Sequence, residues 1–98
     1  MNHNGKVINT YGDRGSEAAG DLNEPYLCQE DDEGAMLIAD YGNDRIQVLD
    51  KWRSWSIVKM NTTVNGPNGA VYVNGTLYVV SLNDSKLYSY TAKIDWVN

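Results

Sequence analysis

Asp40, Asp44 and Asp50 are the carboxylates that could serve general acid–base chemistry in this chain. All three sit beside turn residues at hairpin positions, where a carboxylate can accept hydrogen bonds from the next turn. His3 is the only histidine and Cys28 the only cysteine. One of each, far apart, makes neither a zinc site nor a nucleophilic dyad. The acidic run Glu30, Asp31, Asp32 and Glu33 lacks the alternating ligands and closing bidentate glutamate of a calcium loop. It reads as a solvated loop. No serine occupies a Gly-x-Ser-x-Gly elbow, and Gly12-Asp13-Arg14-Gly15 lacks the form of a phosphate loop. The expectation is a non-enzymatic chain with no metal and no cofactor.

The elements that would position these residues are short. Apolar runs at Val7–Tyr11, Pro25–Gln29, Met36–Ala39, Ile46–Leu49, Trp55–Met60, Ala70–Val73, Leu77–Val80 and Leu87–Tyr90 alternate with turn residues. A further short run is Ile94–Val97. Turn signals recur every 8–12 residues or so, which predicts an all-β antiparallel fold. No window carries a 3.6-residue apolar period long enough for a helix. Asn43-Asp44, Asn65-Gly66-Pro67-Asn68-Gly69 and Asn74-Gly75 supply residues that tolerate positive φ.

Composition narrows the function classes. Eight basic and thirteen acidic residues leave a net charge of −5 over 98 residues, which disfavours binding to a phosphate backbone. One cysteine cannot form an internal disulfide, and Cys28 in its apolar run reads as an inert buried thiol. No apolar run approaches the ~20 residues of a membrane helix. The first residues lack an apolar signal core, so a cytoplasmic location is expected. Sequons at Asn61, Asn74 and Asn83 are only a weak pointer to secretion. Seven tyrosines and three tryptophans, with no phenylalanine, suit half-exposed sheets whose rings are buried at one end and wet at the other.

The chain repeats itself. Asn23-Glu24-Pro25 matches Asn65-Gly66-Pro67 at an offset of 42. The segment Gly34 to Ala39 then matches Gly75 to Val80 at an offset of 41, as do Arg45-Ile46 with Lys86-Leu87 and Trp55 with Trp96. A period near 41 holding four strands is a propeller signature.

Leu22-Asn23-Glu24-Pro25, Gly34, and Leu37-Ile38-Ala39-Asp40 through Asn43-Asp44-Arg45-Ile46-Gln47-Val48 resemble an NHL repeat. The second unit is more degenerate, with Ser81 in place of the aspartate and Lys86 in place of the arginine. The chain is also similar to the last blades of animal tripartite-motif-like NHL proteins. The resemblance covers residues 5 to 91 or so. It implies β-propeller blades, with residues 1–21 as an outer strand of a preceding blade plus a loop, 22–63 as a first blade and 64–98 as a second. Pro25, Asp40, Asn43, Arg45 and Pro67 are then structural repeat positions. Asp40 and Arg45 would lock the hairpin, and Asn43 would take the left-handed conformation of its turn. The related amidating lyases hold metals with central histidines, which this chain does not supply.

The resemblance implies a scaffold for protein–protein interaction, with contacts on rim loops at Tyr41, Arg45, Trp52 and Arg53. Trp55, which has a repeat mate, fits packing between blades better. RNA binding, known for some NHL propellers, is the alternative, and the acidic balance opposes it. A repeat fragment or engineered assembly with no function beyond folding is a third possibility. Two four-stranded blades fall short of a closed propeller, so a homo-oligomer is expected. Three copies would close a six-bladed ring, with Val7–Tyr11 completing the last blade of a neighbour. Ile94–Val97 competes for that fourth-strand position.

Overall fold

The computed structural model describes residues 18–60, 63–91 and 94. Within them the chain forms seven strands: β1 (Pro25–Glu30), β2 (Met36–Asp40), β3 (Arg45–Leu49), β4 (Trp55–Ile57), β5 (Pro67–Val73), β6 (Thr76–Ser81) and β7 (Lys86–Thr91). They make two antiparallel sheets, four-stranded β1-β2-β3-β4 and three-stranded β5-β6-β7. The fold is all-β, and among the described residues the one helical piece is a 3-10 turn at Tyr41–Asn43. None of the described helices is long and apolar enough to cross a membrane.

The strand ends depart from the apolar runs at two places. β4 stops at Ile57, whereas the run continues to Met60. Val58 gives one more hydrogen bond, to the Ile46 carbonyl, and then Val58 and Met60 turn in to pack against the core. β5 begins at Pro67, three residues before the apolar run. Proline has no N–H to lose, so it can open a strand, and a register shift between Pro67 and Gly69 absorbs the irregular start. β1 carries a similar shift between Leu27 and Gln29, at Cys28.

The tight turns take the left-handed backbone where expected in outline, with one correction. Asp44, at φ 55°, adopts that conformation, and Asn43 does not. Asn43 uses its carboxamide to bind Asp40 instead. The β6–β7 turn repeats the arrangement, with Ser85 at φ 54°.

Side chains alternate across each strand, so every sheet has two faces. Leu37, Ala39, Ile46 and Val48 form what we term the front face of sheet one. They pack against the rear face of sheet two, made by Ala70, Tyr72, Leu77, Val79, Tyr88 and Tyr90. Val64 and Ile94 complete this core. The rear face of sheet one carries Met36, Ile38, Gln47, Leu49 and Trp55. The segment Ala18–Asn23 crosses it, close enough that a Cβ on Gly20 would lie 3.0 Å from the Trp55 ring. Val7–Tyr11, Gly12-Asp13-Arg14-Gly15, His3 and Trp96 lie outside the described residues. Ile94 is the only described member of the run Ile94–Val97; it is buried, and its N–H donates to the Tyr72 hydroxyl at 3.3 Å.

Candidate interaction surface

β2 ends in a carboxylate with no exposed surface. Asp40 is fully buried, and a buried charge must be paired and hydrogen-bonded. Its Oδ1 accepts from the Asn23 N–H at 2.7 Å. Its Oδ2 accepts from Arg45 Nε at 2.8 Å, Asn43 Nδ2 at 3.0 Å and Gln47 Nε2 at 3.1 Å. Arg45 reaches on with Nη2 to the carbonyls of Ala18 and Asp21, at 3.0 and 2.7 Å. Gln47 donates to the Asp21 carbonyl and accepts from the Gly20 N–H. Asp40, Asn43, Arg45 and Gln47 therefore form one cluster that grips the backbone of residues 18–23. A carboxylate so enclosed is shielded from solvent.

Sheet two carries a reduced copy of this cluster. Ser81 stands at the Asp40 position and is also fully buried. Its hydroxyl donates to the Asn65 carbonyl and accepts from the Asp84 N–H. Lys86, at the Arg45 position, is exposed.

The other two aspartates also hold backbone. Asp44 Oδ1 accepts from the Gly66 N–H at 2.8 Å. Asp50 Oδ1 accepts from the N–H groups of Trp52 and Ser54, each at 2.9 Å. In the acidic run, Asp31 Oδ1 caps its own turn by accepting from Glu33 and Ala35. Among the described residues no group of three or more His, Cys, Asp or Glu side chains could hold a metal.

Tyr41 and Trp52 lie on turns at opposite ends of β3, whereas the exposed Tyr78 lies on β6 in sheet two. At one end, the turn after β2 presents Tyr41, whose hydroxyl donates to Asn83 Oδ1 of the β6–β7 turn at 2.9 Å. Tyr26 meets the Tyr41 ring edge-on, with centroids 6.0 Å apart. Tyr26, Leu27 and Leu82 are exposed there. At the other end, the β3–β4 turn presents Trp52, 68 % exposed, with the Lys51 ammonium 4.7 Å from its ring centroid. Arg53 takes φ 68° and donates from Nη1 to the Gly34 carbonyl at 2.9 Å. Lys51 pairs with Glu33 at 3.0 Å.

Of the expected contact residues, Trp52 and Arg53 thus share one turn, Tyr41 lies at the opposite end, and Arg45 is committed to Asp40 with little surface left. Gln47 and Tyr26 carry no motif signal and Asn83 only that of a sequon; the three-dimensional pairing alone brings them to these places. Cys28, half-buried in the β1 irregularity, has its thiol pKa pushed up by burial, against the opposing backbone hydrogen bonds from Ala39 and Ala70. A thiol held neutral in this way is a poor nucleophile.

No protein-family model matches the chain, and no curated protein matches it significantly.

Proposed function

We propose that the chain is a non-catalytic β-propeller module for protein–protein interaction, its two sheets being successive blades of the NHL type. Several features support the blade assignment. Pro25 and Pro67 open β1 and β5, and Asp40 and Ser81 close β2 and β6. Asp44 and Ser85 share one left-handed turn geometry, and Glu24 and Gly66, just before each prolyl residue, share another at φ 52° and 58°. The apolar front of one sheet packs on the rear of the next. The side chains with chemical potential are occupied in holding backbone, which favours binding over catalysis.

Trp52 carries the binding proposal. It is the most exposed of the large hydrophobic side chains described, and its turn is fixed by Asp50 from below and by Arg53 across to Gly34. A rigid exposed tryptophan beside cationic side chains is the usual anchor of an interface, since little entropy remains to be lost on contact. Tyr41, on its own braced turn, is a second candidate anchor, whereas Arg45 is assigned to the Asp40 cluster.

The test is affinity capture from a cell extract with the wild-type chain and with Trp52→Ser and Tyr41→Phe. A protein retained by wild type and lost with Trp52→Ser, at unchanged circular dichroism, supports the proposal. Equal retention by both sinks it. Retention of RNA with a steep salt dependence would favour the nucleic-acid alternative.

A further inference from the structure

The described residues hold three Asn-Gly pairs: Asn65-Gly66, Asn68-Gly69 and Asn74-Gly75. Asparagine is a chemically labile residue. A following glycine exposes its carboxamide to attack, because glycine has no Cβ to shield its backbone nitrogen. The fold treats the three pairs differently. Gly66 commits its N–H to Asp44 Oδ1 at 2.8 Å, and the Asn65 carboxamide donates to Asp84 Oδ2 at 3.3 Å. Asn68 and Gly69 lie inside β5, and Asn68 Oδ1 is buried. Asn74 and Gly75 instead make up the whole turn between β5 and β6, closed by the Val73–Thr76 pair. Both take positive φ, at 50° and 80°, the mirror-image turn that suits a tight hairpin. Asn74 is exposed, and a Cβ on Gly75 would meet nothing within 4 Å. Among the described residues neither the Asn74 carboxamide nor the Gly75 N–H makes a hydrogen bond.

We propose that Asn74 is a site of self-modification, converting in the folded chain to aspartate and isoaspartate through a cyclic imide, while the fold protects Asn65 and Asn68. The Gly75 main-chain nitrogen attacks Asn74 Cγ and forms a new C–N bond. Its proton passes through solvent to the departing amide nitrogen, whose own C–N bond breaks, and ammonia leaves. Water then opens the imide at either carbonyl. Opening at Cγ gives aspartate, and opening at the main-chain carbonyl gives isoaspartate. The balance is one water taken up and one ammonia released, with no oxidant, reductant or metal.

The turn must move before it reacts. A mirror-image turn holds its first central residue at a ψ of about +30°, so Asn74 rotates about ψ to bring the nitrogen onto Cγ. An exposed hairpin tip is where such a rotation costs least, because loop tips open locally at the low end of the stability range. At Gly66 the same motion would break the bonds to Asp44 and Asp84, and at Gly69 it would unpair β5 from Val80. The consequence falls on sheet two. Isoaspartate carries the main chain through the former side chain and lengthens the turn by one methylene, so the Val73–Thr76 pair cannot close as before. Thr76 leads directly into Leu77 and Val79, which are fully buried in the core between the sheets. The aspartate product keeps the backbone and adds only a charge at an exposed tip.

The experiment incubates the full chain at mildly alkaline pH, one sample folded and one in urea. Each is digested with pepsin in acid, and mass spectrometry with fragmentation locates the exchange of an amide for an acid. In the folded chain Asn74 is expected to convert several-fold faster than Asn65 or Asn68, and its product to separate into two chromatographic forms. In urea the three are expected to convert at similar rates, since each is followed by glycine. Asn74→Gln, whose longer side chain must close a larger ring, is expected to abolish the fast conversion at unchanged circular dichroism. The wild-type comparison decides the matter even if that variant misfolds. Equal rates at the three pairs in the folded chain would assign the conversion to global unfolding and overturn the proposal. Faster conversion at Asn65 or Asn68 overturns it too, as does a folded Asn74 that stays intact while the urea sample converts. The isolated isoaspartyl chain is expected to unfold at a lower urea concentration than the aspartyl chain, and equal midpoints would refute the effect on sheet two.

Discussion

The carboxamide of Gln29 binds both main-chain groups of Tyr72: its Oε1 accepts from the Tyr72 N–H at 2.7 Å, and its Nε2 donates to the Tyr72 carbonyl at 3.3 Å. One side chain of sheet one thereby acts as the missing strand neighbour for β5 in sheet two. A buried backbone group without such a partner is costly.

Gln29→Leu should lower stability by about 1–3 kcal/mol, because it removes both part-buried hydrogen bonds from sheet one to the Tyr72 main chain. Gln29→Glu should also be destabilising, since a carboxylate can accept from the N–H but faces the carbonyl without a proton to donate. Urea titration followed by tryptophan fluorescence measures both. An unchanged midpoint for Gln29→Leu would show that the inter-sheet bond contributes nothing.

The Asp40 cluster predicts an asymmetry between the sheets. Asp40→Asn keeps the shape and removes the charge that Arg45 Nε meets at 2.8 Å. Its expected cost is about 3 kcal/mol, the low end for breaking a buried pair, because Arg45 retains the Ala18 and Asp21 carbonyls. Ser81→Ala loses a neutral hydroxyl and should cost about 1 kcal/mol. Equal losses in the two variants, measured by the same titration, would contradict the assignment of sheet one as the better-clamped unit.

Much of this arrangement was legible in the residues, and the exceptions have physical causes. The apolar runs locate β2, β3, β6 and β7 to within about one residue, since each pairs on both sides or packs one face on the core. β4 and β5 are misjudged at one end each. Val58 and Met60 look like strand residues but serve the inter-sheet core, and Pro67 looks like a turn but opens a strand. Asp40, Asn43 and Arg45 announce themselves by their spacing. Gln47 does not, because its repeat mate is Tyr88, so comparing the two units hides it. Gln29 and Asn83 act across the two sheets on partners 43 and 42 residues away, and no local pattern encodes such a contact.

Cys28 predicts an alkaline limb in stability. Burial raises the thiol above its ordinary value of 9.0, so the fold favours the neutral form. The stability contributed is complete below 9.0 and is lost as pH rises from there through the raised folded value. Cys28→Ala should flatten the start of this limb. The part due to Tyr90, whose hydroxyl is raised from 10.0 by burial and then by Tyr88, should remain at higher pH. The native thiol should also react with a disulfide reagent more slowly than the urea-unfolded chain at mildly alkaline pH. Equal rates would show an open thiol.

Glu24 and Gly66 share a left-handed backbone, at φ 52° and 58°, yet only one position carries a side chain. The difference lies in what stands above each. A Cβ on Gly66 would fall 2.5 Å from Asn83 Nδ2 and 2.8 Å from Tyr41 Cε2, on the two side chains that bridge the sheets. Gly66→Ala must therefore displace the Tyr41–Asn83 hydrogen bond as well as bear the left-handed penalty of about 1–2 kcal/mol. Glu24 is exposed and bears that penalty alone, so Glu24→Gly should be neutral or slightly stabilising. The expected result is a clear fall in thermal midpoint for Gly66→Ala that shrinks in a Tyr41→Ala background, where the crowding ring is gone. If the fall is the same size in that background, the cost belongs to the backbone alone and the bridge between the turns is incidental.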